Sequence, residues 1–393
     1  MASSETTKEN AISAALLNEL ADTRYACSSL TMLSGGSANW LFRGILIHPL
    51  PSQSSDNAAE RTVIVKHYTS FLFANDMFAI DISRCGFEYF ILTALRRFDY
   101  RQSPNTATIK SPYVYLFNQQ TNTQIHEDCG VDMTNMMWLL FQSAPTGTAD
   151  FRLTASTATS LGFNLGSWFQ AFHSWVSDPA QTDLQSIMGR NEPMRKLKYD
   201  TSYGCFIGVL EKFPDLLEGG VRKTMEDVKD MATKEFERPP PSGSEGLGDN
   251  SWGIIHGDAW SGNILVSHTR SELFIIDWEL AQFGHRAYDL GQLAGDLYER
   301  THYRDVAVAV DVIRGFVTGY GGLSDEMAFR IAIHAGVHLI NWYSRRNPMT
   351  PPPAPVEKIR AGMKVGVQWI LKAWEEDREW FKGSVLGCLF RGN

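Results

Sequence analysis

Residues 252–284 read WGIIHGDAWSGNILVSHTRSELFIIDWELAQFG. Two short apolar runs, around ILV and LFII, each adjoin a carboxylate or an amide. Asp258 and Asn263 are five positions apart on the loop before the first run, and Asp277 follows the second run. We therefore expect two carboxylates and an amide around one hard cation, because magnesium prefers oxygen ligands from one or two carboxylates together with substrate phosphates.

The same stretch matches the D-x-x-x-x-N and D-F-G arrangement of kinase active sites, where the first Asp accepts the substrate hydroxyl proton. HGDAWSGNILV with FIIDWE resembles the aminoglycoside-phosphotransferase and choline-kinase-like superfamily, whose signature is H-G-D-x-x-x-x-N followed by D-x-D or D-x-E. The D-x-E ending is similar to methylthioribose-kinase-like proteins, and the W-S-G-N-I-L, D-W-E-L and D-L-G runs are similar to fungal 4-hydroxytryptamine-kinase-like proteins. The similarity is dense over 252–298 and thinner at LSGGSAN and VIVKH.

The resemblance implies a role for each matched residue. Asp258 is expected to be the general base or hydroxyl-orienting group, with Asn263 and Asp277 as magnesium ligands. Glu279 is expected either to lie near the metal or substrate, as in the D-x-E proteins, or to be a solvated loop carboxylate. His256 is expected to support the loop through hydrogen bonds. The opposing interpretation, a structural turn with capping side chains, is disfavoured because several positions match at the family's spacing.

Two residues upstream are candidates for nucleotide binding. Lys66 ends the run TVIVK, and Glu88 follows 22 residues later on a helix. In kinases such a lysine faces the nucleotide phosphates, and an ion pair with a helix glutamate holds it forward. Asp76 and Asp81 are competing partners. Without such a role, the two residues are a strand-end lysine and a surface glutamate.

Two further segments are candidates for nucleotide contacts through the backbone. A Gly-rich turn, whose N–H groups would cover phosphates, contains Ser34, Gly35, Gly36, Ser37 and Asn39. It departs from the protein-kinase G-x-G-x-x-G pattern, and the resemblance implies S-G-G-x-x-N here. Read alone, LSGG is an ordinary hairpin turn. At the lobe boundary, His126, Glu127 and Asp128 resemble the hinge whose backbone recognises adenine.

The last part of the chain supplies structural and acceptor candidates. Asp289 matches a carboxylate that braces the catalytic loop in the family, and Asp296 lies on the same helix face; both are expected to be structural. Trp260, Trp342 and Arg345 are the candidates for an acceptor pocket with aromatic walls and charged ends. The alternative places the aromatics in the core and leaves the arginine solvated.

The composition excludes several classes of protein. The 393 residues are 44% hydrophobic and 20% charged, as in ordinary globular proteins, so the chain is expected to fold. A net charge of −8 opposes nucleic-acid and membrane-surface partners. Five cysteines without a CxxC pair indicate neither a disulfide framework nor a zinc site. With a polar amino terminus and no apolar run of membrane-spanning length, the sequence predicts a cytoplasmic protein.

The predicted fold is α+β, a protein-kinase-like bilobal fold. Strand-like runs and one helix, with an apolar stripe from Phe87 to Phe98, favour a β-rich lobe over residues 1–128. Within it, PYVYLF and TQIHE flank the turn-rich segment NQQTN, which predicts a hairpin. Residues 129–393 are expected to form an α-rich lobe with a helical insertion at about 150–250 and a linker at 237–251. Apolar residues from Leu161 to Val176 follow helical spacing and predict a second buried stripe. Nucleotide is expected to bind between the lobes.

The predicted function is ATP-dependent transfer of a γ-phosphoryl group to a hydroxyl of a small molecule, with ATP and Mg²⁺ as cofactors. The acceptor classes left open are a sugar, an amino alcohol, a hydroxy-indole amine and an antibiotic. The alternative is a catalytically silent nucleotide-binding scaffold. Protein phosphorylation is disfavoured because the segment after Asp277 enters a helix within about ten residues, which leaves no room for a long activation loop.

Overall fold

The computed structural model describes residues 2–33, 38–51, 59–72, 75–100, 107–145, 147, 152–238, 251–268, 271–345, 351–352 and 354–390. The chain forms two compact units. Unit 1 comprises Met1–Arg96 and Ser111–Val131, and unit 2 comprises Arg97–Lys110 and Asp132–Asn393. The predicted amino-terminal lobe, 1–128, therefore includes residues 97–110, which lie in unit 2.

Strands are concentrated in unit 1 and around residues 256–263 of unit 2, which are named the catalytic loop after the role predicted for Asp258. In the described part of the chain they are β1 (Cys27–Met32), β2 (Trp40–Leu50), β3 (Glu60–His67), β4 (Phe71–Leu72), β5 (Asn75–Ala79), β6 (Thr108–Lys110), β7 (Val114–Asn118), β8 (Thr123–Glu127), β9 (Met133–Asn135), β10 (Trp252–Ile255), β11 (Ile264–Ser267), β12 (Glu272–Ile275) and β13 (Gln282–His285).

Helices dominate unit 2. Over the same described ranges they are α1 (Ala2–Leu20), α2 (Arg84–Leu95), α3 (Met136–Gln142), α4 (Ala155–Trp175), α5 (Thr182–Gly189), α6 (Glu192–Asp200), α7 (Phe206–Leu210), α8 (Val221–Glu237), α9 (Ala287–Arg304), α10 (Val308–Tyr320), α11 (Asp325–Asn341), α12 (Val356–Trp374) and α13 (Arg378–Phe381). This confirms the predicted α+β class, with a sheet-rich first unit and a helix-rich second unit.

Unit 1 is built on an antiparallel sheet with the strand order β1-β2-β3-β8-β7. Alternate residues of β3, Val63 and Val65, are fully buried beside Phe42 of β2 and Ile125 of β8, as expected for strands with one covered face. Leu16 of α1 belongs to the same core. The predicted hairpin is confirmed, since β7 and β8 pair antiparallel.

The predicted stripe of α2 is only partly correct. Ile91 and Leu95 are buried, but Phe90 is 43% exposed. Phe98 lies beyond the end of α2, in unit 2, where its ring contacts Trp168. The helical spacing predicts a helix that continues through Phe98, but the chain leaves the helix after Leu95, and Phe98 packs in the core of unit 2.

In unit 2, α4 of the predicted insertion packs closely against α10. Gly162 of α4 faces the Val312 carbonyl oxygen of α10, and Gly315 of α10 faces the Thr159 carbonyl oxygen of α4. A Cβ at either glycine would overlap that oxygen, so small residues permit this close helix contact. The predicted stripe of α4 is confirmed by the full burial of Leu165 and its neighbours along that face.

Short strands of unit 2 position the functional loop. β10 precedes the loop in sequence and pairs antiparallel with β13, which follows it. Between these two strands in sequence, β11 pairs with β12 in a sheet of order β6-β12-β11-β9. β6 is parallel to β12, although the paired residues Thr108 and Glu272 are 164 positions apart in sequence. This pairing is why residues 107–110 belong to unit 2. Among the described residues, no helix has both the length and the apolar character needed to cross a bilayer.

Candidate active site

The predicted base, Asp258, lies in unit 2, on the loop between β10 and β11. The backbone N–H groups of His256 and Gly257 donate to the two carboxylate oxygens of Asp289, at 2.8 and 2.9 Å. Asp289 is fully buried in the first turn of α9 and also bonds His173 Nε2 at 3.2 Å. Gly257 has φ of +82°, and a Cβ there would overlap the Leu280 carbonyl oxygen, so the turn requires glycine. The bracing role predicted for Asp289 is confirmed.

Asp258 follows this turn and is held through both of its carboxylate oxygens. Asn263 Nδ2 donates to Asp258 Oδ2 at 3.0 Å and to the Asp258 backbone oxygen at 3.0 Å. Gln292 Nε2 donates to Asp258 Oδ1 at 2.7 Å. A carboxylate has about four lone-pair positions, so these neutral donors fix its orientation and leave acceptor capacity. The half-buried Asp258 can therefore still accept a hydroxyl proton.

Asn263 and Asp277 are brought together by the β11–β12 hairpin. Ile264 pairs with Ile275, and the Ile276 N–H donates to the Asn263 carbonyl oxygen at 3.0 Å. Because Asn263 turns its Nδ2 towards Asp258, its Oδ1 is the atom suited to bind a metal.

Asp277 adopts a left-handed backbone conformation, with φ of 66° and ψ of 61°. For a residue other than glycine this costs about 1–2 kcal/mol, and such conformations cluster at functional sites. Together with Asn263 it offers only oxygen ligands, a donor set that fits magnesium rather than a soft metal. The residues present therefore fit the predicted metal.

His256 supports the catalytic loop through hydrogen bonds made by both of its ring nitrogens. Its Nδ1 accepts the Asp258 backbone N–H at 3.2 Å, and its Nε2 bonds the Ile276 carbonyl oxygen at 3.0 Å. These partners assign the neutral tautomer with the proton on Nε2. The ring lies 4.4 Å from that of Trp278, which itself donates to the Ile275 carbonyl oxygen. The supporting role predicted for His256 is confirmed.

Glu279 is buried, with 2% of its surface exposed. The alternative of a solvated loop carboxylate is therefore wrong, since an ionised glutamate without solvent needs partners to offset its desolvation. Its role as a ligand of metal or substrate stays a prediction. Asp296 has a structural role as predicted, because its Oδ2 accepts the Ser261 N–H of the catalytic loop at 3.0 Å.

The three acceptor-pocket candidates have different surroundings. Trp260 is half-buried on the catalytic loop. Trp342 stacks on Tyr303 with ring centroids 3.7 Å apart. Arg345 forms an ion pair with Glu299, which is 1% exposed. Trp342 and Arg345 thus both contact the carboxyl-terminal half of α9, and their roles in acceptor binding stay predictions.

A further group of ligand-type side chains lies beside Arg345. Oxygen and nitrogen atoms of Asp296, Glu299 and His338 lie within 4.8 Å of one another. However, Arg300 pairs with Asp296 and Arg345 pairs with Glu299, so guanidinium groups already offset the two carboxylates. Burial raises the pKa of Glu299 to about 7, although Arg345 opposes the shift. We assign no metal to this group.

Two residues in the hydrogen-bond chain that leads to Asp258 are not predicted from the sequence. Gln292 belongs to a polar series on α9, Asp289, Gln292, Asp296 and Glu299, with helical offsets of 0, 3, 7 and 10. These side chains are all buried, and this spacing is the sequence signal that identifies them. Lys198 lies on α6, in the predicted insertion, and donates to Gln292 Oε1. No local pattern around Lys198 distinguishes it from a surface lysine.

In unit 1, Lys66 and Glu88 form the ion pair that the sequence predicts. Lys66 Nζ lies 3.0 and 2.8 Å from the two oxygens of Glu88. Both side chains are buried, and the Tyr68 hydroxyl also donates to Glu88. The alternative of a surface glutamate is wrong. Asn39, another predicted nucleotide contact, accepts from Arg84 Nη2 at 2.8 Å.

The remaining nucleotide candidates have separate outcomes. Ser34, Gly35, Gly36 and Ser37 lie outside the described residues. His126 and Glu127 lie in β8, where His126 is opposed by residues of β3 on one side and β7 on the other. Asp128 follows the strand and forms a bidentate ion pair with Arg43, at 2.6 and 2.9 Å. Their contact with adenine stays a prediction.

The comparisons with known proteins agree with this arrangement. Residues 207–329 match the model of the phosphotransferase enzyme family. The chain is 28% identical to phosphotransferase FrzJ of Cladobotryum sp., with 96% of each protein covered. It is 22% identical to 4-hydroxytryptamine kinase of Psilocybe cubensis, with 80% of each covered. The chain is a small-molecule phosphotransferase. The resemblance stated from its catalytic motif is thereby confirmed.

Solved structures with similar backbones include kinases of small alcohols. An ethanolamine kinase of Plasmodium vivax has a TM-score of 0.47 and 15% identity, covering 88% of this chain and 83% of that one. A choline/ethanolamine kinase family protein from Mesorhizobium loti has a TM-score of 0.45 and 13% identity, covering 96% of this phosphotransferase and 99% of that chain.

Proposed function

We propose that this phosphotransferase transfers the γ-phosphoryl group of ATP to a hydroxyl group of a small molecule. The observation that carries the proposal is the Asp258 carboxylate, which the Asn263 and Gln292 amides orient through both oxygens while it keeps capacity to accept a proton. The same loop places Asn263 beside the strand that leads to Asp277. A base next to oxygen ligands for a metal is the arrangement that phosphoryl transfer to an alcohol requires.

In the proposed reaction the acceptor oxygen bonds to the γ-phosphorus, and the bond from that phosphorus to the β,γ-bridging oxygen breaks, which releases ADP. The hydroxyl proton passes to a carboxylate oxygen of Asp258. Phosphoryl transfer needs little covalent chemistry from the protein. The main contribution of Asp258 to the rate is therefore to orient the acceptor hydroxyl.

Charge on the phosphates is offset by two groups in this proposal. Asn263, Asp277 and Glu279 would hold Mg²⁺, which neutralises developing charge on the nucleotide when bound. Lys66 supplies a cation to the phosphates, and Glu88 fixes its position through their buried ion pair. The Gly-rich turn at 34–39 and the backbone at 126–128 are proposed as further nucleotide contacts.

The acceptor is proposed to contact Trp260, Trp342 and Arg345. The similarity to a 4-hydroxytryptamine kinase makes hydroxy-indole amines the first acceptor class to test. Amino alcohols, sugars and hydroxylated antibiotics follow. The presence of Lys66, Asp258, Asn263 and Asp277 disfavours a silent nucleotide-binding scaffold.

The test is a mass-spectrometric search for a phosphorylated product. The wild-type protein is incubated with Mg-ATP and a pooled library of hydroxylated indoles, amines, sugars and antibiotics, and products heavier by one phosphoryl group are identified. Asp258→Asn is the matched control, because it keeps the side-chain size but removes the base. A product formed only by the wild type is the expected result.

Two other results would contradict the proposal. Equal product formation by Asp258→Asn would remove Asp258 from the role of base. No product, combined with no stabilisation of the wild type by Mg-ATP in a thermal melt, would contradict nucleotide binding itself. Parallel reactions with Mg-GTP define the nucleotide preference.

A further inference from the structure

Lys198 is a lysine buried inside unit 2. It is 7% exposed and lies on α6, a helix of the insertion that precedes the catalytic loop in sequence. A buried ammonium group is costly unless partners offset its desolvation. Burial lowers the pKa of Lys198, while the negative charges of Asp258 and Asp289 counteract this shift. The ammonium thus lies in the field of the proposed base and of the residue that braces its loop.

The contact that joins Lys198 to the base runs through one side chain. Lys198 Nζ donates to Gln292 Oε1, and Gln292 Nε2 donates to Asp258 Oδ1 at 2.7 Å. A lysine ammonium has donors and no acceptor. It therefore requires the oxygen end of the Gln292 amide, which leaves the NH₂ end for Asp258.

We propose that Lys198 is a positioning residue for phosphoryl transfer, which acts by fixing the direction of the Gln292 amide so that it donates to Asp258. This inference rests on the proposed function of Asp258. With Gln292 on Oδ1 and Asn263 on Oδ2, rotation of the carboxylate is restrained from both sides. Without the lysine, the amide of Gln292 can turn its oxygen towards Asp258, which repels the carboxylate and releases it.

The indirect contact has a physical advantage over an ion pair. A lysine bonded directly to Asp258 would occupy its lone pairs and stabilise its anionic form more strongly, so the carboxylate would become a weaker base. Through the intervening amide, the cation polarises the Gln292 N–H donors and strengthens their hydrogen bond. The indirect contact thus fixes the orientation of the Asp258 carboxylate and keeps its capacity to accept a proton.

The test compares four single variants and one double variant of the full chain with the wild type. Lys198→Met removes the charge with little change in volume, and Gln292→Met removes both hydrogen bonds. Lys198→Arg keeps the donors and serves as the rescue variant. Lys196→Met is the matched control, because Lys196 lies on the same helix with its side chain 66% exposed and paired with Asp200.

We expect Lys198→Met and Gln292→Met each to lower kcat by about 10- to 100-fold, the usual effect of removing a partner that orients a functional group. KM for ATP should stay within about threefold, since neither residue is proposed to bind nucleotide. Lys198→Arg should recover most of kcat, and Lys196→Met should match the wild type. Combining Lys198→Met with Gln292→Met should be no worse than Gln292→Met alone, because the lysine acts through the amide.

Other outcomes overturn the inference in distinguishable ways. With an active wild type, a kcat of Lys198→Met within twofold of wild type would remove Lys198 from positioning and leave the proposed function standing. Losses that multiply in the double variant would show that the lysine acts independently of Gln292. If the wild type phosphorylates no acceptor and Mg-ATP does not stabilise it in a thermal melt, the proposed function fails.

A readout without activity tests the contact itself. Crystal structures of the wild type and Lys198→Met are compared for the orientation of the Gln292 amide and the Asp258 carboxylate. We expect the carboxylate to rotate or occupy two orientations in the variant. An unchanged, singly ordered Asp258 carboxylate in Lys198→Met would overturn the inference whether or not an acceptor is known. Lys198→Met is expected to fold, because it removes a buried charge rather than leaving one without its partner.

Discussion

The two units hold their functional charges by different means. In unit 1, Lys66 bonds both oxygens of Glu88 directly, inside a buried pair that Tyr68 also joins. In unit 2, Asp258 bonds two neutral amides, and the nearest lysine in its hydrogen-bond chain lies one side chain further away.

The difference follows from what each group is proposed to do. A lysine that offsets phosphate charge keeps its own charge throughout, so a direct carboxylate partner can hold it in place. A base has to gain a proton, and a direct cation would oppose that gain. The comparison indicates that neutral donors suit a group whose charge changes, and that ion pairs suit a group whose charge does not.

The largest expected effect is the loss of the base itself. Asp258→Asn should lower kcat by about 10³- to 10⁴-fold, a range typical of removing a group that handles the proton and orients the nucleophile. Affinity for ATP should change little, because Asp258 is proposed to contact the acceptor. Product formation by mass spectrometry and ATP titration calorimetry measure the two quantities. An equally large loss of ATP affinity would contradict the assignment of Asp258 to the acceptor and of nucleotide binding to other residues.

The next effect is expected at the ion pair of unit 1. Glu88→Ala leaves Lys66 as a buried cation without this partner, which typically costs about 3–5 kcal/mol of folding stability. Glu88→Gln keeps one oxygen for the lysine and should lose less. Chemical denaturation measures both, and ATP affinity should fall in the same order. Equal stability of the two variants would indicate that the charge of Glu88 contributes little.

A smaller effect is expected at the brace of the catalytic loop. Asp289→Asn places an NH₂ group against one of the two N–H donors of His256 and Gly257, which typically costs about 1–3 kcal/mol. Asp311→Asn, on α10 and paired at the surface with Arg314, is the control and should be nearly neutral. Urea denaturation compares them. A stability of Asp289→Asn equal to that of the control would contradict the bracing role.

The smallest effect concerns the pH dependence of stability. Burial raises the pKa of Glu299 from 4.5 to about 7 in the folded chain, so the folded state binds more protons between these values. The free energy of unfolding then falls as pH rises through this range. Glu299→Gln does not ionise, and relative to wild type it should gain about 1–2 kcal/mol between pH 5 and pH 8.

Thermal melts at the two pH values measure this gain. Glu375→Gln is the control, because the Glu375 side chain is 54% exposed and pairs with Lys372 at the surface. The control should show no difference between the two pH values. A gain of Glu299→Gln at pH 5 equal to that at pH 8 would show that Arg345 keeps Glu299 ionised throughout.

Much of the fold follows from local patterns that the sequence displays. The hairpin over 114–127 and the buried stripe of α4 depend on residues close in sequence, and both were predicted. The motif around Asp258 and Asp277 could be predicted equally well, because the loop and the following hairpin are contiguous in sequence. The position of Phe98 could not be predicted, since its contact with Trp168 joins segments 70 residues apart.

The same limit applies to the candidate site. Asp289 and Asp296 were found on α9 from the motif. Gln292 and Glu299 share their helical spacing but were missed, because glutamine and glutamate side chains on a helix usually face solvent. Lys198 reaches the site only through tertiary packing, by a contact that spans 94 positions. Long-range contacts of single side chains leave no periodic signal.

The polar series on α9 has a consequence for local opening. Three N–H groups of the catalytic loop, at His256, Gly257 and Ser261, donate to carboxylates of that one helix. These amides are part of a loop, yet they can exchange with deuterium only when their acceptors move away. Their exchange should therefore be as slow as that of the α9 backbone itself, and loop and helix should open together as one cooperative segment.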